Sequence, residues 1–477
     1  MKQILKNLKK SFGTKYVKYG GFATVMTVCV AVGIILLNLI VQQIAPQLDL
    51  TKNKLFSLSE QSRNIAESVK NPVIIYGVWE PSGEHTQAKE IAERYAAKNH
   101  LIRFEAVDPD LNPGLLKQFD KDGKGIAKGS LILSGVKGFK IIAPQDMYDV
   151  YYNQQQQPQL TGVAIEKRIT SALLYADAGE TPKVYEITGH QETPLTFLEK
   201  TLEQENYQLL QLNLLNAPVP DDAGAVILCN PISPLGPEET EKLFSYLEKG
   251  GRLIALLDYR SGAMESVNTL LAGWGAEFGY GITAELDPNY RISGRTPFEL
   301  FPIMSPHPIT DSLIAGKTPA LMPLPMGISE TALKRRTVKT APFLSTSRNS
   351  FLRTDLQNAG QEQSPEDTPG PITLGLAVLD PEYPESGAGQ TRIALFGNAF
   401  FLDLVSQIPG NLDLFMNALA WTSDRPEILS VGSRSTFTMR LQMTLAEGLI
   451  VGILFVIVIP LTCFVLGLIT WLRRRHL

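Results

Sequence analysis

Two long stretches without a charged residue, 22–41 and 448–472, lie near the two ends of this 477-residue chain. A helix of about 20 apolar residues is long enough to cross the hydrocarbon core of a bilayer, which is roughly 30 Å thick. No other part of the chain has apolar sequence of this length. We therefore predict two transmembrane helices, at residues 21–44 and 447–472.

Each stretch has an alternative interpretation. The first could belong to a cleavable signal peptide, but it exceeds the roughly 7–15 residues of a signal-peptide core and no small-x-small cleavage site follows it. The second could be a buried core helix, but its length and the arginines at 473–475 are typical of a helix that leaves a membrane. Both comparisons favour uncleaved anchors.

The flanking charges predict the orientation of the two anchors. Residues 1–20 contain lysines and no acidic residue, and the tail 473–477 begins with three arginines. Because basic flanks stay in the cytoplasm, we expect both termini to be cytoplasmic. The main domain, residues 46–440, would then face the periplasm or the extracellular space from the inner (plasma) membrane, with membrane lipid as a contact.

The charge of the outer part limits its partners. Acidic residues outnumber basic ones once the cytoplasmic flanks are set aside. An acidic surface disfavours nucleic acid, so we expect no nucleic-acid partner. Cys229 is the single cysteine outside the two apolar stretches, and it lies in an apolar run that predicts a core position. The outer part must therefore be stabilised by packing and not by an internal disulfide.

Residues 46–178 show the order β-α-β-β-β-α. The pattern predicts a thioredoxin-like domain, although this is an analogy of fold and carries no redox function. Residues 79–84 read WEPSGE, where a thiol enzyme would need Cys-x-x-Cys. The supporting segments are strands at 72–79 and 101–108, a hairpin joined near 136–137, and helices at 57–69, 83–99 and 161–176.

Residues 181–425 alternate apolar strands with amphipathic helices, which predicts an α/β domain around a parallel sheet. The strands are expected at 183–189, 207–215, 225–231 and 252–258, with a last strand followed by a turn within 391–403. The helices are expected at 193–205, 236–251 and 410–424. The polar segment 346–370 is predicted to be a mobile insertion. Residues 426–446 are expected to form a linker to the second anchor.

Polar residues follow several of these strands, at the edge where open α/β sheets bind ligands. His190 and Glu192 follow the first strand of the second domain, and Asp258 ends the strand at 252–258. Asn398 and Asp403 follow the last strand. The five residues are candidates for one cleft, in which His190 could be a general base or a ligand. The alternatives are that His190 holds its turn by hydrogen bonds and that Asp258 caps the next loop.

Motifs for catalysis and for cofactors are missing from the sequence. It contains no Gly-x-Ser-x-Gly elbow and no Gly-x-x-x-x-Gly-Lys-Ser/Thr phosphate loop, and its five histidines lack metal-ligand spacing. We therefore expect no enzyme activity, no cofactor and no metal. Pro460 lies inside the second apolar stretch, where it would kink the helix and indicates packing on a membrane partner.

Several segments together resemble the GldG family, the auxiliary, gliding-motility-type subunits of ABC transport systems. They are DLTKNKLFSLSEQS, ITSALLYADAGETPKVYEITGHQE, AVILCNPISPLGPEETEKLFSYLEKGGRLIALLD, RIALFGNAFFLD, GNLDLFMNALAW and GLITWLRRR. The likeness covers nearly the whole chain in the family's order. It implies an ABC ATPase and a multi-span ABC permease as partners.

The resemblance also implies a fold for residues 181–425. The family's middle domain is related to class I glutamine amidotransferases and to a domain of intraflagellar-transport and oligosaccharyltransferase subunits. This sequence lacks the amidotransferase cysteine at the nucleophile position, so that activity is not implied. We expect a non-catalytic accessory subunit that binds a substrate or an envelope partner. The alternatives are a membrane-anchored envelope enzyme and a glycan-binding scaffold.

Overall fold

The computed structural model describes most of residues 57–425. The described residues are 24–36, 57–80, 85–121, 123–152, 158–179, 181–262, 264–292, 294–332, 334–357, 360–381, 390–425, 434–435, 460–462, 465, 467, 469 and 472. The chain divides into two compact units, Met1–Ser57 and Leu58–Leu477. In the first unit residues 24–36 are helical.

The second unit begins with a region built on a four-stranded sheet. Its elements are α1 (Glu60–Ser68), β1 (Val73–Val78), α2 (Thr86–Ala96), β2 (Ile102–Val107), α3 (Pro113–Lys117), β3 (Leu131–Gly135), β4 (Phe139–Ile142), a 3-10 turn (Pro144–Met147), β5 (Tyr148–Tyr152), β6 (Pro158–Val163) and α4 (Ile165–Ala178). The strand order is β2-β1-β3-β4. Strands β1 and β2 are parallel, whereas β3 is antiparallel to both of its neighbours. The predicted strands, the β3–β4 hairpin and the helices are confirmed.

Local sequence explains where these helices lie. Ser59 caps α1, because its side chain accepts a hydrogen bond from the amide of Ser62. Helix α4 ends at Gly179, which adopts the left-handed conformation that favours glycine. Ile169 and Leu173 of α4 are buried against the sheet. The structure also adds the β5–β6 hairpin, which the sequence analysis did not predict.

The second region is built around a larger sheet and also contains smaller sheets, and its last strand pairs with β6 of the first region. Its elements are β7 (Lys183–Ile187), a 3-10 turn (Thr196–Leu198), α5 (Glu199–Gln204), β8 (Gln208–Leu212), β9 (Ala223–Cys229), α6 (Pro237–Glu248), β10 (Arg252–Leu256), a 3-10 turn (Tyr259–Ser261), α7 (Glu265–Ala272), β11 (Ala276–Gly279), β12 (Ile282–Glu285), a 3-10 turn (Pro288–Tyr290), β13 (Glu299–Leu300), β14 (Ile303–Met304), α8 (Asp311–Gly316), β15 (Met322–Pro323), β16 (Gly327–Glu330), β17 (Lys339–Ser345), β18 (Ser350–Arg353), β19 (Thr368–Pro369), β20 (Thr373–Asp380), β21 (Thr391–Phe396), a 3-10 turn (Phe400–Leu404), α9 (Pro409–Thr422) and β22 (Arg434–Ser435).

The main sheet has the order β11-β16-β20-β21-β10-β9-β7-β8, and β17 pairs with β20 and β14. Strands β8, β7, β9, β10 and β21 are parallel, but β20 runs antiparallel to β21. The mixed α/β class is therefore confirmed. The predicted parallel arrangement holds for β8, β7, β9, β10 and β21, whereas the segment 259–390, which is rich in turns, adds antiparallel strands.

Apolar side chains cover both faces of this sheet. One face packs on α5 and α9 through residues such as Leu202 and Phe415. The other packs on α6 and α7 through residues such as Leu243 and Leu271. Strand β9 is buried on both faces, as its continuous apolar sequence predicted. The predicted helix at 193–205 is shorter than expected, since the first part of that segment is a loop and a 3-10 turn.

The segment 346–370, which was predicted to be a mobile insertion, contains strands β18 and β19. Strand β18 pairs with β12 and β19 in a three-stranded sheet. Phe351 and Arg353 are buried, and the Arg353 guanidinium lies 2.7 Å from the Asp367 carboxylate. The polar composition of the segment did not reveal this buried ion pair. The two charged side chains bond to each other instead of to water, which allows both to be buried.

Most of the predicted membrane segments lie outside the described residues. Residues 1–20 and 473–477 are not described, the linker 426–446 is described at β22 alone, and the second anchor at seven positions that include Pro460. Among the described residues, no helix combines the length and the apolar character needed to cross a bilayer. The two anchors and the kink at Pro460 stay predictions.

Candidate functional site

The carboxyl ends of four parallel strands meet at one edge of the main sheet. Strands β7, β9, β10 and β21 end at Ile187, Cys229, Leu256 and Phe396. In chain order the parallel strands lie 2-1-3-4-5 across the sheet, and the direction of winding reverses between β7 and β9. Sheets of this kind bind ligands in the crevice at such a reversal. This edge is therefore the candidate site, and the predicted cleft residues lie along it.

His190 is held between two carboxylates just beyond β7. Its Nδ1 lies 3.0 Å from Oε1 of Glu192, and its Nε2 lies 3.0 Å from Oε2 of Glu239 at the start of α6. The backbone amides of Gly189 and His190 also donate to Oε2 of Glu192, at 3.0 and 2.8 Å. A neutral imidazole has one N–H and donates to one of the carboxylates, whereas an imidazolium donates to both. The ring is buried and fixed from both sides.

Backbone hydrogen bonds bridge the reversal point itself. The carbonyl of His190 accepts from the amides of Ile232 and Ser233, in the loop that follows β9. The amide of Thr193 donates to the carbonyl of Cys229 at 2.9 Å. The loop after β7 is thus joined to the end of β9 and to the loop that follows it.

Asp258 makes a second group at the end of β10. Its carboxylate accepts from the backbone amide, Nε and Nη2 of Arg260, at 2.6 to 2.9 Å for the closest contacts. The hydrogen bond to Asp258 raises the pKa of Arg260. Asp258 is fully buried and caps the 3-10 turn Tyr259–Ser261. The alternative in which this residue caps its loop is therefore what the structure shows.

Asn230 connects this group to β9. Its Oδ1 accepts from the amide of Asp258 at 3.2 Å and from Oγ of Ser261 at 2.5 Å. Its φ angle is +49°, in the left-handed region that asparagine tolerates better than most residues. A strained residue at the end of a strand is also where an α/β hydrolase carries its nucleophile. Here that position holds an amide whose oxygen joins two strand ends.

Asn398 and Asp403 lie beyond β21 in different surroundings. The Asn398 amide donates to the Pro323 carbonyl at 2.6 Å and its oxygen accepts from the Phe401 amide at 2.7 Å. Asp403 is exposed, and its charge contributes to the raised pKa of Arg260. The guanidinium of Arg260 also lies 3.8 Å from the centre of the Phe400 ring, a cation–π contact.

Two reactive groups are buried beneath this edge. Burial, together with the charges of Glu186 and Asp258, raises the pKa of the Cys229 thiol. A thiol held in its protonated form is a poor nucleophile and a poor metal ligand. Burial also raises the pKa of Glu186, whose Oε1 accepts from the Leu195 amide at 2.6 Å. Within the described part of the chain, Oε2 of Glu186 has no hydrogen-bond partner.

The structure brings four of the five predicted residues into two groups on either side of the end of β9, and Asn398 lies outside both, bonded to Pro323 and Phe401. One contains His190 and Glu192; the other contains Asp258, with Asp403 near its arginine. Sequence reasoning missed Glu239 and Asn230. The sequence Gly236-Pro237-Glu238-Glu239 could have identified Glu239, since a glutamate three residues after a helix cap commonly turns back to it. No three His, Cys, Asp or Glu residues in the described ranges could hold a metal ion.

Comparison with known proteins gives one family and several distant folds. Residues 52–145 match the family described as a domain of unknown function, DUF7088. No curated protein matches the chain. Similar solved structures include the mmIFT52 N-terminal domain, at 15% identity and a TM-score of 0.37, covering 50% of this chain and 97% of that one.

Two further structures are similar to this chain. One is a ThuA-like protein from Bacteroides uniformis, at 16% identity and a TM-score of 0.31, covering 50% of this chain and 90% of that one. The other is a glutamine amidotransferase from Thermotoga maritima, at 10% identity and a TM-score of 0.26, covering 53% of this chain and 96% of that one. Likeness this distant carries no information on activity.

Proposed function

We propose that this protein is a non-catalytic accessory subunit of an ABC-type transporter of the GldG type. The segments 21–44 and 447–472 anchor it in the inner membrane, with both termini in the cytoplasm. Residues 46–178 form a thioredoxin-like domain and residues 181–425 an amidotransferase-like domain without catalysis. The strand order β2-β1-β3-β4, with β3 antiparallel to its neighbours, supports the first of these assignments.

One observation carries the non-catalytic part of the proposal. The side chains that could do chemistry at the sheet edge are committed to contacts within the protein. Both nitrogens of His190 face carboxylates, Asp258 is paired with Arg260, and Cys229 is buried. A general base must reach the proton that it removes, and these groups are turned inward. The side chains at this edge therefore hold the loops in place. Partners bind elsewhere on the surface of the domain.

The proposal is tested by isolating the tagged full-length chain from its native membrane in mild detergent. We expect an ABC ATPase and a multi-span permease to co-purify in similar molar amounts. Pro460→Leu, which removes the predicted kink, should reduce their recovery, whereas Leu461→Val in the same segment should not. Recovery of neither partner would refute the transporter assignment.

A separate variant tests the non-catalytic assignment. His190→Gln keeps a neutral polar side chain but cannot act as a base. We expect this variant to support the same transport-dependent growth as the wild-type chain, provided that its expression and melting temperature are comparable. Loss of that growth in a folded variant that still recovers the ATPase and permease would favour the envelope enzyme instead.

A further inference from the structure

The two ends of the described outer region meet at one place. The chain enters at Ser59, whose backbone amide donates to Oε1 of Glu166 at 2.6 Å, in the first turn of α4. The chain leaves at β22, where Arg434 pairs with Val163 and Ser435 with Gly162. Val163 and Glu166 lie three residues apart in sequence, at the end of β6 and the start of α4. Entry and exit are therefore side by side.

This position has a consequence if both flanking segments lead into a membrane. Residues 436–446 separate β22 from the second predicted anchor, and fully extended they reach at most about 40 Å. The first predicted anchor is connected to the same place through residues 45–58. Two short connections that converge on one spot direct that end of the outer region towards the bilayer. The structure nearest to the spot is the β5–β6 hairpin.

The hairpin exposes an apolar pair. Val150 of β5 is 42% exposed and Leu160 of β6 is 50% exposed. The two residues are directly opposed in the antiparallel register, so they form one apolar patch. Residues 148–163 contain Asp149 but no lysine or arginine. An exposed aliphatic pair without basic neighbours in its own hairpin is stabilised by burial in the interfacial layer of a bilayer and needs no anionic headgroup.

We propose that the β5–β6 hairpin rests on the outer surface of the lipid bilayer, with Val150 and Leu160 in the interfacial layer. This contact fixes how the outer region stands on the membrane. The inference rests on the membrane anchorage in the proposed function. Lipid is the proposed binding partner of the hairpin, because both flanking segments lead into the predicted membrane anchors.

The end of α4 away from the hairpin supplies a matched control. Val136 in the β3–β4 turn is 69% exposed, and the neighbouring amide of Lys137 donates to the carbonyl of Ala176. Residues 165 and 176 of α4 are separated by about 17 Å along the helix axis. Val136 is thus an exposed valine in a β-turn that should stand clear of the lipid.

The test uses the full-length chain, reconstituted in phosphatidylcholine nanodiscs. The three native cysteines are replaced by alanine, and Val150→Cys, Leu160→Cys or Val136→Cys is labelled with an environment-sensitive fluorophore. We expect a lipid nitroxide near the headgroup to quench the label at 150 and 160 at least threefold more than the label at 136. Adding anionic lipid should leave this ratio unchanged.

Equal quenching at the three sites, or quenching that requires anionic lipid, overturns the inference. Labels at 150 and 160 that are shielded from aqueous iodide only when a permease is present, without lipid quenching, overturn it in favour of a protein contact. Carbonate extraction of the same samples distinguishes failure of the membrane anchorage from failure of the hairpin contact. A chain that is extracted has no anchors, and the proposed function fails with it; a retained chain with unquenched labels loses the hairpin contact alone.

Discussion

A buried ion network joins the two sheet regions of the second unit. Glu205 follows α5, and its carboxylate lies 2.8 Å from Nη1 of Arg168 and 3.5 Å from Nζ of Lys167, both on α4. Asp413 on α9 lies 3.7 Å from the same lysine. Burial alone would lower the pKa of Lys167, but the carboxylates of Glu205 and Asp413 outweigh it and raise that pKa. Lys167 is therefore charged in the folded protein, although burial raises the pKa of its more distant partner Asp413.

Replacing Glu205 by glutamine tests this network. Glu205 is 1% exposed, and its loss leaves Arg168 without its ion-pair partner and Lys167 with the more distant Asp413. Removing one member of a buried pair typically costs about 3–5 kcal/mol, because the remaining charge is not compensated. Unfolding entropy is about 2.1 cal/mol/K per residue, or roughly 0.8 kcal/mol/K for a region of this size. The melting temperature should therefore fall by about 4–6 °C.

The assay is thermal unfolding of the purified full-length chain, followed by intrinsic fluorescence at pH 7. Glu203→Gln is the matched control, because Glu203 is an exposed glutamate two positions away on α5. We expect the control to stay within about 1 °C of the wild-type chain. Adding Lys167→Met to Glu205→Gln should recover part of the loss, since it removes a charge that the first change left behind.

Two results would refute this reasoning. If Glu205→Gln and Glu203→Gln melt together, the network contributes nothing at the junction. If the double variant is no more stable than the sum of its single changes, the residues are not coupled. In either case the two sheet regions must be held by other contacts, such as the donation from the Asn206 amide to the Ser171 carbonyl.

Three further predictions concern buried titratable groups, each read from melting temperature against pH. Burial raises the pKa of Glu186, so ionisation of this carboxyl destabilises the fold as pH rises through that pKa. The variant Glu186→Gln should therefore have a higher melting temperature than wild type at pH 8 and the same melting temperature at acid pH. Burial lowers the pKa of His307 to about 4, so stability should fall between about pH 6.5 and 4 as the unfolded chain alone takes up a proton, and His307→Gln should flatten that slope. Burial opposes the lowered pKa of Asp367, but hydrogen bonds from Arg353 and Ser364 outweigh it; Asp367→Asn should melt lower at pH 7, with the gap closing as acid protonates the wild-type carboxylate.

Periodicity predicted the regular elements well, because each depended on short-range pattern. Strand β9 is continuous in apolar sequence, and α6 has a Pro-Glu-Glu start and a Gly-Gly end, so both lie close to where they were expected. The contacts made within 346–370 could not be predicted in this way, because they depend on residues far apart in the sequence pattern. Arg353 and Asp367 look like solvent-exposed residues in sequence, and only their pairing across the fold allows both to be buried.

For the candidate site, the sequence predicted where the residues lie but not what they contact. The positions of His190 and Asp258 at strand ends follow from the sequence, since parallel strands share a carboxyl edge. Their roles do not, because the second carboxylate on His190 comes from Glu239, which is 49 residues away in the chain. A histidine that contacts one carboxylate resembles a general base. A histidine held between two carboxylates, as His190 is, has both ring nitrogens engaged in contacts within the protein. That distinction depends on tertiary contact alone.

The adjacency of Ser59 and β22 has a consequence for how this chain could have been assembled. A region whose first and last residues lie together can be inserted into a loop of another protein, or removed from one, without separating any of its strands. Residues 57–435 meet that condition, because Ser59 and Arg434 contact positions three residues apart. Residues 57–435 therefore have the geometry of a module that can be moved between proteins as one piece.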